Sequence, residues 1–199
     1  MTTGTGSEGR GSVFSFGVRQ IVVAGILGGI AILLGVTRLG FIPVPNLTGA
    51  ATILHVPAIL GGVLEGPVVG ILAGLIFGIF SWIDATVPLF RDPIVAIVPR
   101  LFIGVVAWAA FVALRRLSID LASAVSGVLG SFANTAGVLS FAVLLGYLPP
   151  AAIIPVIPQA IVEAILAAIV TVVVVRGVML FRSGRTTASE KESAEERRF

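Results

Sequence analysis

The sequence predicts an all-α integral membrane protein of six transmembrane helices, with both termini cytoplasmic and a binding cavity that opens outward. Three observations lead there. Hydrophobic residues make up 57 % of the 199 and charged residues only 12 %, against roughly 45–50 % and 25 % in soluble domains. Charge-poor apolar runs recur, most of them long enough to cross about 30 Å of hydrocarbon. Lysine and arginine are spread unevenly over the segments between those runs.

Residues 1–17 form a polar N-terminal tail. The first span follows from about Val18 to Val36, with IVVAGILGGIAILLG at its centre. It is too long, and too poor in A-x-A signals, to be a cleaved leader, so it reads as a retained helix. TRLGFIPVPN ends it, because two prolines and an asparagine favour irregular, extended backbone. The second apolar stretch, about Ala50 to Val63, is short and contains His55 and Pro57. Glu65-Gly66-Pro67 then makes a tight turn: Gly66 can take positive φ at a helix end, and Pro67 suits the first turn of the next helix.

The third span is VVGILAGLIFGIFSWI, and the polar loop Asp84 to Asp92 leads into the fourth, about Pro93 to Leu114, closed by Arg115-Arg116. The fifth covers about Leu121 to Gly146. YLPPAAIIP turns the chain into the sixth, about Ile153 to Val175, continuing towards Phe181. The membrane domain is therefore 18–181. Residues 182–199, polar and of mixed charge, are expected to be a disordered cytoplasmic tail.

Six spans put both ends on one side. Arg10, Arg19, Arg115, Arg116, Arg176, Arg182, Arg185, Lys191, Arg197 and Arg198 fall on that side, and only Arg38 and Arg91 in the opposite loops. The positive-inside rule makes the first side cytoplasmic. One of the thirteen basic residues remains, Arg100, and it lies within a span.

Two helices carry small-residue seams, a main source of helix association where lipid removes the hydrophobic drive. Gly70, Gly74 and Gly78 recur in the third span, where packing inside the bundle is the expected use. Ala24, Gly28, Ala31 and Gly35 line one face of the first. That face can serve the bundle or dock another subunit.

Polar residues inside the spans share a depth. At about 1.5 Å per residue, Arg100, His55, Asn134, Gln159 and Glu163 all fall in the outer half or near the midplane. A random scatter would not favour one depth, so a shared outer cavity is expected. Ionisable groups in spans usually face the bundle interior or a wet cavity, and Arg100 and Glu163 are the obvious partners. They can form a packing salt bridge or line a binding site; the residues alone leave both open. Pro99, just before Arg100, removes a backbone donor and frees the Val95 carbonyl for another partner. Trp82, beside the outer loop, is the better ligand candidate of the two tryptophans.

Several function classes are excluded. The absence of cysteine excludes disulfides and iron–sulfur clusters, and a single histidine argues against a zinc site. The basic residues are scattered among spans and tails, which argues against nucleic acid. No P-loop, H-E-x-x-H or supported G-x-S-x-G is present, so no catalytic residue, metal or cofactor is assigned, and the protein is not read as an enzyme.

Three stretches together carry a family resemblance: HVPAILGGVLEGPVVGILAGLIFG, PLFRDPIVAIVPRLFIGVVA and SFANTAGVLSFAVLLG. Over about Arg19 to Val175 the chain resembles the substrate-binding S components of energy-coupling factor (ECF) transporters. The resemblance implies a subunit of the prokaryotic cytoplasmic membrane that binds a water-soluble vitamin or related micronutrient. Its implied partners are a transmembrane coupling subunit and two ABC ATPase subunits, with delivery by tilting in the bilayer. An A-x-x-x-A seam on the first helix docks the coupling subunit in that family; Ala24 and Gly28 occupy the matching positions, with Ala31 and Gly35 continuing the seam. The implied ligand contacts are Asn46, Asp84, Arg91, Arg100, Asn134, Gln159 and Glu163. His55 and Trp82 join them from depth and position alone. Arg100 tilts the expected ligand towards an anionic one, pantothenate- or folate-like. The competing reading is a self-contained membrane protein, channel-like, scaffolding or enzymatic.

Overall fold

Helix α1, Val18–Val36, shows how the bundle sorts its faces. Ala24, Gly28, Ala31 and Gly35 are its buried residues, while Ile21, Val22, Ile26, Ile30 and Leu33 on the other faces are exposed. A Cβ on Gly28 would meet Ile76, and one on Gly35 would meet Phe80, at 2.5 and 2.2 Å. The small-residue seam therefore accepts side chains of the third helix. Of the two uses the spacing allows, bundle packing or docking, this structure shows packing within the chain for Ala24, Gly28, Ala31 and Gly35. Gly25 and Gly29, with open space around them, lie on the outward face. Gly28→Leu is expected to lower the melting temperature of the detergent-solubilised protein, because Ile76 has to be displaced, whereas Gly25→Leu leaves it unchanged.

The computed structural model describes residues 17–43 and 50–196. After α1 comes a two-stranded antiparallel ribbon, β1 (Phe41–Pro43) with β2 (Ala50–Thr52), pairing Phe41 with Thr52 and Ile42 with Ala51. This differs from the expected second span beginning near Ala50. Pro57 fits only the first turn of a helix, so α2 starts at Val56 and runs to Glu65; the residues before it pair as strand instead. Gly66 takes φ 102° and Pro67 opens α3, Pro67–Ile83, as the Glu-Gly-Pro sequence predicts.

A short 3-10 turn at Pro88–Arg91 leads to α4, Pro93–Leu114. Its first turn is capped by the Asp92 carboxylate, which accepts from the Ile94 amide at 2.8 Å. α5 spans Ile119–Leu144, and a second 3-10 segment, Pro150–Val156, precedes α6. The Tyr147 hydroxyl in that connection donates to Asp92 at 2.9 Å, tying the turn to the start of α4. The carboxylate beside it holds the phenol above its usual pKa. α6, Ile157–Glu196, carries helical backbone past Phe181, where the sequence reading ends the membrane domain.

Four apolar helical segments are long enough to cross a membrane: Val18–Val36, Pro93–Leu114, Ile119–Leu144 and Pro150–Arg182. α2 and α3 are shorter, 10 and 17 residues. α2 is buried from Val56 to Val63, so the rest of the protein, and not lipid, surrounds it.

α3 and α4 come into backbone contact along the third-span seam. An added Cβ at Gly74 would lie 2.1 Å from the Arg100 carbonyl oxygen, and one at Gly104 only 2.3 Å from the Gly70 Cα. Gly137 of α5 lies against the Pro99 ring: a Cβ added to it would come within 2.8 Å of the Pro99 Cβ. The result is that α3 and α5 hold the Pro99–Arg100 step of α4 from two sides.

Candidate functional site

Pro99 sets the geometry of the site. Lacking an N–H, it leaves the Val95 carbonyl without its helical donor. The Arg100 guanidinium supplies the replacement: one terminal amino group donates to Val95 O at 2.7 Å, and the other reaches the Ser81 hydroxyl at 3.4 Å. Phe90 and Phe77 lie against the guanidinium at 4.8 and 5.4 Å from ring centroid to Cζ, a cation–π arrangement that offsets part of the cost of removing the charge from water. Arg100 is 3 % exposed, and its Nε has no hydrogen-bond partner among the described residues.

Glu163 is equally buried and is held by three donors. Its Oε1 accepts from the Thr52 amide at 2.8 Å and from Gln159 Nε2 at 3.0 Å, and its Oε2 from the Thr135 hydroxyl at 3.4 Å. The first of these ties the β-ribbon to α6. No ion pair within 4 Å joins Glu163 to Arg100; the pairs among the described residues lie elsewhere. Of the two arrangements the residues left open, the direct salt bridge is absent and two separate mounts stand in its place: Val95 and Ser81 hold the arginine, and Thr52, Gln159 and Thr135 hold the carboxylate.

Both charges line one cavity of about 220 Å³. Asn134 shares its wall, with a buried Oδ1 that has no partner among the described residues. Phe41, Phe77, Phe80 and Phe90 add flat apolar surface, and Arg38 and Asp84 lie at its edge, joined at 3.2 Å. Arg38 adopts φ 60°, a left-handed conformation uncommon for a residue with a side chain, and lies over the Phe41 ring at 5.2 Å. A cation, an anion and an unpaired amide oxygen in a phenylalanine-lined hollow can hold a small molecule that is polar at its edges and flat in its body.

Of the residues expected from sequence, Asp84, Arg100, Asn134, Gln159 and Glu163 meet at this cavity. His55, Trp82 and Arg91 do not line it. His55 is wholly enclosed at the start of α2, and both ring nitrogens are without partners among the described residues. Trp82 is turned to the outside and donates its indole N–H to the Arg91 carbonyl at 3.1 Å, and Arg91 is itself exposed. Asn46 lies outside the described residues. Sequence reasoning missed Arg38, Thr52, Ser81, Thr135 and the phenylalanines. Arg38 was counted only as a marker of topology. Serine and threonine hydroxyls commonly bond within their own helix, and phenylalanine in a span looks like lipid-facing bulk, so neither type stands out by depth.

Apolar helices of membrane-crossing length around a charge-bearing hollow make this a multi-pass membrane protein shaped to hold a small molecule. A family model described as "ECF transporter, substrate-specific component" matches residues 19–175. The chain belongs to that family, whose members are the substrate-binding subunits of ECF transporters. No curated protein matches it by sequence. Among solved structures it is similar to one described as "Structure and mechanism of the S component of a bacterial ECF transporter", at 17 % identity and a TM-score of 0.60, over 82 % of this chain and 96 % of that one. That likeness bears on the fold.

Proposed function

We propose that the protein captures a water-soluble vitamin or related micronutrient at the outer face of a prokaryotic cytoplasmic membrane and passes it inward with a coupling subunit and two ATPases. In this reading six helices embed in the bilayer, both termini are cytoplasmic, and the cavity of Arg100 and Glu163 faces out. One observation carries the reading: a buried cation and a buried anion share a cavity without pairing to each other. Buried charges held apart are costly unless something else satisfies them, and a bound solute with an acidic or carbonyl edge towards Arg100 and a donor edge towards Glu163 and Asn134 does so. The anionic ligand expected from Arg100 thereby becomes amphoteric, a carboxylate-bearing compound with N–H or O–H groups at its other end. Phe77 and Phe90 suit a planar part of it. Asp84 and Arg38 act at the mouth, and the connection from α3 to α4, which carries Arg91 beside Trp82 at the end of α3, closes over it.

Docking of the coupling subunit falls to the outward face of α1, where Gly25 and Gly29 leave open space. The test is co-purification from cells expressing the whole transporter. Mass spectrometry of the isolated chain is expected to find one vitamin-class molecule near stoichiometric amounts, and Gly25→Leu to lose the ATPase subunits while keeping that molecule. A chain that carries no small molecule and retains no ATPase partner overturns the proposal.

A further inference from the structure

The opposite end of the bundle holds a second, wholly different pocket, lined by the start of α1, the α2–α3 turn, the end of α4 and Arg182 of α6. Its polar groups include three arginines and one glutamate: Arg19, Arg115, Arg182 and Glu65. Arg19 and Arg182 both reach the same oxygen, Glu65 Oε1, at 2.7 and 3.1 Å. The carboxylate is mostly covered, whereas the two arginines stay more than half exposed. Glu65 thus gathers two cations that would otherwise repel, and neutralises one of them. Arg115, also on the wall, has no side-chain hydrogen bond or ion pair among the described residues. Trp108 and Phe111 form the inner part of the wall.

We propose that this pocket binds the phosphate of an anionic phospholipid from the surrounding leaflet. The chemistry required is a phosphate ester. Arginine suits it, because the planar guanidinium meets two phosphate oxygens at once. Three guanidinium groups around one carboxylate leave an excess of two positive charges at the end of apolar helices, where lipid headgroups lie. Basic pockets between membrane helices at this level favour anionic headgroups, and an amphipathic indole at the same level is at home between headgroup and acyl chain. A phosphate supplied from solution has the same oxygens but no acyl chains to lie along Trp108 and Phe111, which favours the lipid. Arg115 makes the main contact, and the phosphate competes with Glu65 for Arg19 and Arg182.

The experiment uses the full chain with Trp82→Phe, leaving Trp108 as the one tryptophan, in phosphatidylcholine nanodiscs. A small fixed fraction of the lipid carries brominated acyl chains, either as phosphatidylglycerol or as phosphatidylcholine, and quenching of Trp108 is compared. The expected result is quenching by the brominated phosphatidylglycerol in about three-fold to five-fold excess over bulk composition, a preference of the size basic residues near a bilayer surface produce. Arg115→Gln brings it close to parity and Arg115→Lys recovers part of it. Arg115 is exposed, so neither change disturbs the core. Glu65→Gln raises the excess by releasing Arg19 and Arg182. Equal quenching by the two lipids overturns the proposal. Loss of the excess on adding inorganic phosphate at constant ionic strength overturns the assignment to lipid, since the pocket then fills from solution.

Discussion

Arg100→Ala is expected to abolish high-affinity ligand binding, with a loss of about a hundred-fold or more. A buried charge-assisted contact that loses one partner commonly costs about 2–5 kcal/mol, and each 1.4 kcal/mol is a factor of ten. The substitution removes more than one contact. The Val95 carbonyl loses the donor that stands in for the missing Pro99 amide, the Phe77 and Phe90 rings lose the cation between them, and Glu163 is left as the uncompensated charge of the cavity. Arg100→Lys keeps the charge but cannot hold Val95 and Ser81 at once, so it recovers only part of the affinity. Isothermal titration of the purified protein with the co-purified compound checks both. Wild-type affinity in Arg100→Ala protein that elutes as a folded monomer removes Arg100 from the site.

The second large effect is on the fold. Gly104→Ala, one methyl group, is expected to leave little correctly folded protein. Its Cβ would lie 2.3 Å from the Gly70 Cα, 2.7 Å from the Gly70 carbonyl carbon and 2.9 Å from the Ala58 carbonyl oxygen. All three are backbone atoms, so no rotamer change can relieve the contact and whole helices have to separate. Overpacking a core usually costs about 1–3 kcal/mol through side chains that can shift; here the cost falls at or above the top of that range. Since α3 and α4 carry Ser81, Phe77 and Arg100, separating them also spreads the cavity wall. Fluorescence-detected size exclusion over a temperature series measures the effect. Gly25→Ala is the control, because no atom lies within 4 Å of its added Cβ.

How far these features could be read from residues alone depends on the kind of signal each leaves. The first and fourth spans were expected at the bounds the structure gives, Val18–Val36 and Pro93–Leu114, because each has an unbroken apolar run and a polar or proline stop at both ends. The Glu65-Gly66-Pro67 turn was legible because glycine and proline there have one conformational use each. The ribbon was not: Ala50–Thr52 is apolar and short, and periodicity cannot separate a strand of that length from the start of a helix. The α1 seam was seen as small and flat, but spacing does not say which neighbour fills it. Within the site, Arg100, Glu163, Gln159 and Asn134 stood out because polar groups at depth are expensive. The Val95 carbonyl, five residues from Arg100, was legible as freed by Pro99, but the ribbon amide and the two hydroxyls that complete the contacts come from other segments that only the folded chain brings close.

The arginine that mends the break made by its own neighbour also constrains how this site can change its preferences. One of its terminal amino groups is committed to Val95, so the guanidinium meets a solute at a fixed angle and cannot swing to suit a different shape. Restoring a backbone N–H at position 99 returns that carbonyl to the helix and sets the amino group loose. The orientation of the cation is therefore governed from the residue before it, one that need never touch the solute. A related chain that differs at position 99 while keeping Arg100 is accordingly the place to look for a change of cargo.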